Sequence, residues 1–101
     1  MTKKFITLQW SRKRILHIAR HNVTQDEVEE AIFDDKYSFL KKNKQSYNNP
    51  GQYIYLAYGS TLEGRLLTII LLSVNKNVFI PITARDMDSA ERKNYLKRRQ
   101  Y

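Results

Sequence analysis

The chain has 101 residues and a mass of 12.1 kDa, which predicts one domain spanning residues 1–101. Its composition, 42% hydrophobic and 28% charged, excludes a disordered chain, and the absence of cysteine excludes disulfides, thiolate metal ligands and a cysteine nucleophile. No apolar run approaches the roughly 20 residues of a membrane span, and the N-terminal residues contain no signal-peptide core. We therefore expect a soluble cytoplasmic protein that does not interact with membranes.

Charge is distributed unevenly along the chain. Eighteen Lys and Arg residues against ten Asp and Glu residues give a net charge of +8, and six of the ten acids lie between Asp26 and Asp35. Elsewhere eighteen basic residues stand against four acidic ones, a balance of +14. This asymmetry predicts a strongly positive surface, whose usual partners are nucleic acid, anionic lipid or an acidic protein. The alternative is that the basic residues only keep a small domain soluble.

The chain begins with a predicted strand and a predicted helix. Residues 5–10 combine aromatic and β-branched side chains, which is typical of a strand. The helix that follows is capped by Ser11 and ends at Asn22, because asparagine tolerates the left-handed turn that closes a helix. Its apolar stripe consists of Ile15, Ile18 and Ala19.

A second helix is predicted to start at Thr24. The spacing to Glu27 is that of a capping box, in which each side chain accepts a hydrogen bond from the other residue's backbone amide. Val23 and Val28 occupy the two positions of a hydrophobic staple. We therefore interpret the acidic run as a helix start with a solvated face, rather than as a set of catalytic carboxylates.

The pattern changes to that of strands from residue 37 onward. Strands are predicted at residues 37–40, 52–58, 65–74 and 78–84, and residues 41–51 are interpreted as a long polar loop. The third of these strands is apolar on both alternations, as expected of a central strand covered on both faces. Pro81 cannot donate a ladder hydrogen bond, so the last strand is predicted to be an edge strand or to carry a bulge.

A final helix is predicted from Asp88, whose spacing to Glu91 repeats the capping box, to about Arg99. Its narrow apolar stripe consists of Ala90, Tyr95 and Leu96. The order of elements predicts an α+β fold, in which two N-terminal helices and a C-terminal helix pack on a small, mainly antiparallel sheet. We expect these helices to share one face of the sheet.

The motifs of several enzyme classes are missing. His17 and His21 have the four-residue spacing of a two-histidine zinc site, but the segment H-I-A-R-H lacks the acid of H-E-x-x-H, and a third ligand is missing. The chain has no G-x-S-x-G motif and no glycine-rich phosphate loop. We therefore expect no metal and no cofactor.

The positions of the arginines indicate RNA as the partner. Arg65 begins the predicted central strand, Arg85 follows the last strand, and Tyr95 lies on the final helix. In an antiparallel meander we expect these residues to converge into a basic concavity with a phenol beside it. Guanidinium groups hold phosphate and aromatic rings stack on unpaired bases, which suits RNA. The RNA-binding residues predicted on the final helix are Arg92, Lys93 and Lys97, although the helix end is also interpretable as a solvated basic surface.

Three segments of the chain, HIARHNVTQDEVEEAIFDD, GQYIYLAYGSTLEGRLLTIILL and ITARDMDSAERKNY, resemble the BrnT family of bacterial type II toxin–antitoxin toxins. They occur in the family's order, and the resemblance runs from about Ile6 to Tyr95. It implies a RelE-like ribonuclease fold and a metal-independent endoribonuclease that cleaves RNA and arrests growth. It also implies a cognate antitoxin, through which promoter DNA is a further partner.

The resemblance also implies site residues. Arg65 matches the G-R-L-L segment, Arg85 matches the A-R segment and Tyr95 matches the closing E-R-x-x-Y, while His17 and His21 match the family's helix-end histidines. We interpret the two arginines as stabilisers of the phosphate and of the transition state. Tyr95, or failing that His17 or His21, is the candidate general acid–base.

Two points stay open at the level of sequence. Glu91 is interpreted either as the cap of its helix or as the residue that orients Arg92. Two other functions compete with RNA cleavage: a nucleic-acid-binding module without catalysis, and a toxin-fold inhibitor of a protein target.

Overall fold

Five strands form one mixed sheet within the residues that the computed structural model describes, 6–45 and 51–100. In chain order they are β1 (Thr7–Leu8), β2 (Phe39–Gln45), β3 (Tyr53–Ser60), β4 (Leu66–Asn75) and β5 (Val78–Asp86). Their order across the sheet is β1-β5-β4-β3-β2. Strands β2 to β5 form an antiparallel meander and β1 pairs with β5 in parallel. The predicted central strand is confirmed, because β4 lies in the middle of the sheet.

Three helices accompany the sheet in the described part of the chain. They are α1 (Arg12–Ala19), α2 (Gln25–Glu29), which continues into a π-helical segment (Glu30–Asp34), and α3 (Ser89–Arg99). The α+β class is thus confirmed. None of the helices formed by the described residues is long and apolar enough to cross a membrane.

The predicted helix boundaries follow from local hydrogen bonds. The Ser11 hydroxyl accepts a hydrogen bond from the Arg14 amide at 3.2 Å, and Asn22 adopts φ of 60° after α1. Both predicted capping boxes are complete, with the pairs Thr24 and Glu27 at α2 and Asp88 and Glu91 at α3. Side chains three residues apart therefore decide where α2 and α3 begin.

The larger core lies between the sheet and the first two helices. Side chains of β4 alternate between the two faces, and Leu67, Ile69 and Leu71 point to the same face as the buried side chains of α1 and α2. Those residues are Ile18 of α1 and Val28 of α2, joined by Ala31 and Ile32 of the π-helical segment. Gly59 of β3 allows the close packing on this side, because a Cβ there would lie 2.0 Å from the Ala31 carbonyl oxygen.

The third helix packs on the opposite face of the sheet, so the expectation that all helices share one face is wrong. Tyr95 of α3 forms a second buried cluster with Tyr58 and Met87, and Leu66 packs against it. Leu66 and Leu67 are neighbours in β4 and point to opposite faces. Because β4 is apolar on both alternations, both of its faces require cover, and α3 supplies part of the second.

The loop predicted for residues 41–51 is partly wrong. Strand β2 extends to Gln45 and pairs with β3 from Phe39↔Tyr58 to Gln45↔Tyr53. Its polar sequence suits an edge strand, because lysines at an edge discourage pairing with other chains. Residues 46–50 of the predicted loop, and Phe5 at the start of the first predicted strand, lie outside the described residues.

The bulge predicted at Pro81 is present, although β5 is not an edge strand. Leu71 pairs with Pro81 and Ile70 pairs with Thr83, so the register shifts by one residue between them.

The apolar stripes of α1 and α3 are narrower than predicted, because Ala19 of α1 is exposed and Leu96 of α3 is 39% exposed. Ala90 of α3 is exposed as well, which leaves Tyr95 as the buried residue of that stripe.

Candidate functional site

The structure does not bring Arg65 and Arg85 together in one concavity. Leu67 pairs with Asp86 and Thr68 pairs with Arg85 across β4 and β5. The first pair lies on the face covered by α1 and α2, where Arg65 bonds Asp86, and the second lies on the face covered by α3. The two arginines therefore lie at the same end of neighbouring strands but on opposite faces of the sheet.

Arg65 links three elements on the face of α1 and α2. Its Nε donates to Asp86 Oδ1 at 2.8 Å, and its Nη1 donates to the Asn22 carbonyl at 2.5 Å and to Glu27 Oε1 at 3.3 Å. The hydrogen bond from Arg65 outweighs burial and lowers the pKa of Asp86. The guanidinium N–H groups of Arg65 thus donate to acceptors within the protein itself. This arrangement indicates that Arg65 holds the end of α1, the start of α2 and the end of β5 together.

Arg85 is aligned by a carboxylate of α3. Its Nη1 and Nη2 donate to Glu91 Oε1 and Oε2 at 2.6 Å and 3.0 Å, while its side chain remains 44% exposed. Glu91 Oε1 also accepts from the Thr68 hydroxyl at 3.0 Å and from the Asp88 amide at 2.9 Å. Glu91 therefore caps α3 and orients Arg85; the interpretation that it orients Arg92 is wrong.

The environment of Glu91 keeps its carboxylate ionised. Burial of Glu91 opposes ionisation, but the hydrogen bonds from Arg85, the Asp88 amide and Thr68 outweigh it and lower the pKa of Glu91 to about 2. At neutral pH the residue is thus a permanently charged acceptor. It gives Arg85 a defined orientation, while the Arg85 side chain as a whole remains partly exposed.

Tyr95 is buried and is not positioned to reach a substrate. Its exposed fraction is 0%, and its hydroxyl donates to Asp35 Oδ2. Burial, followed by the Asp35 carboxylate, raises the pKa of Tyr95. Asp35 also accepts from the Ser60 amide at 2.8 Å and from the Tyr37 amide at 2.9 Å. The geometry indicates that Tyr95 attaches α3 to the sheet, which argues against the predicted role of its hydroxyl as the general acid–base.

Tyr58 is the phenol that lies next to Arg85 and Glu91. It belongs to β3, its ring centroid lies 5.0 Å from that of Phe39, and its side chain points to the face of α3. Burial, followed by the charge and hydrogen bonding of Glu91, raises the pKa of Tyr58. Tyr58 therefore keeps its proton at neutral pH beside an arginine and a carboxylate.

A groove opens between α3 and the edge of the sheet beside these residues, with a volume of about 240 Å³. We call it the α3 groove, and it is lined by Phe39, Lys41, Tyr58, Glu91, Asn94 and Arg98. The lining residues of α3 follow the three- and four-residue spacing of one helix face. The groove combines two aromatic rings, an amide and two cationic side chains around the ionised carboxylate.

Sequence reasoning missed most of the α3 groove. The polar sequence predicts a loop at Lys41, and the alternation of Lys41 with Phe39 is the signal that indicates an edge strand instead. The sequence predicts Tyr58 as a strand residue without a role in the site, whereas in the sheet it faces the same side as Thr68 and Arg85. Pairing between strands decides which tyrosine meets Arg85, and a single sequence contains no direct signal for that pairing.

The two histidines lie away from the α3 groove. His17 and His21 are on and just after α1, with ring centroids 5.3 Å apart in an edge-to-face arrangement, and α1 packs on the other face of the sheet. No group of three His, Asp or Glu side chains among the described residues could hold a metal ion. Independence from metal stays a prediction about activity.

The three predicted RNA-binding residues of α3 lie outside the groove. Arg92, Lys93 and Lys97 are exposed on the surface of the helix, while Glu91, Asn94 and Arg98 line the groove.

No protein-family model matches the chain, and comparison with curated proteins finds no relative. The resemblance to the BrnT family therefore rests on three segments of the sequence, and the α3 groove is the structural feature that suggests a function.

Proposed function

We propose that this protein is a metal-independent endoribonuclease that binds RNA along the α3 groove and cleaves it beside Arg85. The observation that carries the proposal is the alignment of Arg85 by Glu91 next to the Tyr58 phenol. Lys41 and Arg98 add positive charge on the adjoining walls of the groove. A cation, a protonated phenol and aromatic rings in one groove suit the binding and cleavage of a phosphodiester flanked by unpaired bases.

The chemistry is attack of the 2′-hydroxyl on the adjacent phosphorus, with the proton of that hydroxyl passing to solvent as the new P–O2′ bond forms. The charged phosphorane then collapses by breaking the P–O5′ bond, which leaves a 2′,3′-cyclic phosphate and a 5′-hydroxyl end. The guanidinium of the partly exposed Arg85 side chain stabilises the negative charge that develops on the phosphorane oxygens. Tyr58 keeps its proton at neutral pH and donates it to the leaving 5′-oxygen. Glu91 acts as a positioning residue, because its hydrogen bonds fix Arg85 before substrate binds.

The biological role follows from the resemblance to the BrnT family. We propose a cytoplasmic toxin of a type II toxin–antitoxin system, with the RelE-like fold of that superfamily, whose RNA cleavage arrests growth. The net charge of +8 supports a cognate antitoxin with an acidic segment that covers the α3 groove. Promoter DNA is then a partner of the complex through the antitoxin.

A second candidate function is RNA binding without cleavage. Two observations favour it: Tyr95 is buried, and both histidines lie away from the groove. The three predicted acid–base residues therefore do not line the groove, and the proposed chemistry depends on Tyr58 instead. Glu91, with a pKa of about 2, is far too acidic for an efficient general base at neutral pH. A groove of this kind would still bind a single strand through charge and stacking.

The deciding experiment is cleavage of a single-stranded transcript by the purified chain in excess chelator, with the new ends mapped by primer extension. We expect wild type to cleave, and Arg85→Ala to cleave about 100- to 1,000-fold more slowly, as when one transition-state donor is removed. Tyr58→Phe should slow cleavage by about 100-fold or more, which is the range of general acid catalysis. Arg12→Ala and Tyr55→Phe are the matched controls, since Arg12 is exposed on α1 away from the groove and Tyr55 faces the other side of the sheet.

Each other outcome has a defined meaning. Cleavage that requires added magnesium or manganese overturns the metal-independent mechanism. Tight RNA binding with no cleavage and no growth arrest on induced expression supports the second candidate. Failure to bind RNA at low salt overturns both functions and leaves a protein target as the remaining hypothesis.

A further inference from the structure

We propose that the α3 groove holds one unstacked base of a single-stranded RNA between the Phe39 ring and the Arg98 guanidinium. This site rests on the proposed function and deepens it, because it names the part of the substrate that the groove recognises. A base held here would lie next to a phosphate at Arg85, since Glu91 both lines the groove and bonds that arginine.

Phe39 presents a fixed aromatic surface to the groove. Its ring centroid lies 5.0 Å from that of Tyr58 with an interplanar angle of 33°, and the two residues are direct partners across β2 and β3. Tyr58 is buried and thus limits the orientations that the Phe39 ring can adopt. An aromatic ring that is held by the sheet and lines an open groove is a suitable platform for a nucleobase.

Arg98 occupies the ring face that a base would take. Its guanidinium carbon lies 4.2 Å from the centroid of the Phe39 ring, at stacking distance. Guanidinium planes and nucleobases are both flat and both stack on aromatic rings. The Arg98 side chain is exposed, so it has room to leave the ring, admit a base and stack on the outer side of that base.

The size and polar groups of the groove fit a single base. Its volume of about 240 Å³ is below the roughly 300–1,000 Å³ of pockets for drug-sized ligands. Asn94 contributes an amide that both donates and accepts hydrogen bonds, as recognition of a base edge requires. Lys41 lies on the opposite wall and offers a cation to the neighbouring phosphate.

The test uses 2′-O-methyl RNA hexamers, which bind without being cleaved, with one abasic position moved along the strand. We expect one position at which loss of the base weakens binding to wild type by about 5- to 100-fold, the range for loss of one base–aromatic stack. Phe39→Leu should weaken binding of the intact hexamer by a similar factor and should no longer distinguish the abasic strand. Phe33→Leu is the matched control, because Phe33 is 40% exposed outside the groove.

Arg98→Ala is the second variant, and it keeps the test decisive should Phe39→Leu fail to fold. It removes an exposed side chain, and it should reduce the abasic effect at the same strand position. A second outcome is that the hexamer binds and the abasic position still weakens binding by the full factor in both folded variants. The base then lies elsewhere, which overturns the α3 groove as a base site but does not contradict RNA cleavage. If wild type binds no hexamer at low salt, RNA binding itself is overturned, and the base site with it.

Discussion

The hydroxyl of Tyr95 donates a hydrogen bond to Asp35, a residue that precedes it by 60 positions in the chain. The bond joins α3 to the turn after the π-helical segment, and the Asp35 carboxylate also accepts from the amides of Tyr37 and Ser60. Tyr95 has no exposed surface. The residue that most resembles a catalytic tyrosine by sequence thus holds α3 on the sheet.

Tyr95→Phe should therefore separate stability from activity. The ring and its packing remain, but the Asp35 carboxylate loses a buried donor, which should lower the free energy of unfolding by about 1–3 kcal/mol. Urea denaturation measures this loss, and RNA cleavage per folded molecule should be unchanged. Tyr58→Phe should show the reverse pattern. A folded Tyr95→Phe protein without activity would return Tyr95 to the chemistry.

Arg65→Ala should also destabilise the chain without abolishing activity. The change breaks the contacts of Arg65 with Asp86, Glu27 and the Asn22 carbonyl, and hydrogen bonds with charged groups are each worth about 1.5–3 kcal/mol before solvent screening. Because the side chain is 27% exposed, we expect a net loss of about 1–2 kcal/mol. Arg92→Ala, on the exposed side of α3, should change stability by less than about 0.5 kcal/mol.

Thermal or urea unfolding measures both variants, and cleavage is normalised to folded protein. Arg65→Lys should recover only part of the lost stability, because one ammonium cannot reproduce the fork that reaches acceptors on several elements. A stable, fully folded Arg65→Ala protein that has lost cleavage would contradict the assignment of Arg65 to structure.

Stability should fall in acid through Glu91. Its pKa in the folded chain is about 2, compared with an ordinary value of 4.5, so the folded state prefers the ionised form. The stabilisation is therefore fully present above about pH 4.5 and is lost as the pH falls toward 2. Its upper limit is about 3 kcal/mol, from roughly 1.4 kcal/mol for each pH unit between the two pKa values.

Glu91→Gln removes this dependence. We expect the variant to be less stable than wild type at pH 7, and the difference to shrink steadily between pH 4.5 and pH 2. Urea midpoints measured across this range provide the comparison, and Glu63→Gln on an exposed turn is the matched control. A stability difference that does not change with pH would mean that the Glu91 charge does not contribute.

RNA binding should weaken steeply with salt, because each neutralised phosphate releases counterions. The slope of log affinity against log salt should become less steep by about one for Lys41→Ala and for Arg85→Ala, because the proposal places each of these cations at one phosphate. Arg12→Ala, on the exposed start of α1, should leave the slope unchanged. Fluorescence anisotropy with a fixed single strand measures all four proteins. Equal slopes in every variant would place the binding surface outside the α3 groove.

The helix starts were predictable from the sequence because they depend on neighbours. Thr24 with Glu27 and Asp88 with Glu91 form their capping boxes between residues three apart, so the spacing already contains the geometry. The central position of β4 was also predictable from the sequence, because a strand that is apolar on both alternations requires cover on both faces.

Only the tertiary structure decided which functional side chains meet. The register of β4 and β5 pairs Thr68 with Arg85, which places Arg85 on the face of α3, while Arg65 lies on the other face. A shift of β5 by one residue would move Arg85 to the opposite face of the sheet. The same register brings Tyr58 to Arg85 and leaves Tyr95 buried against Asp35. Residues far apart in the chain acquire these relationships through strand pairing and helix packing, which no local spacing in a single sequence specifies.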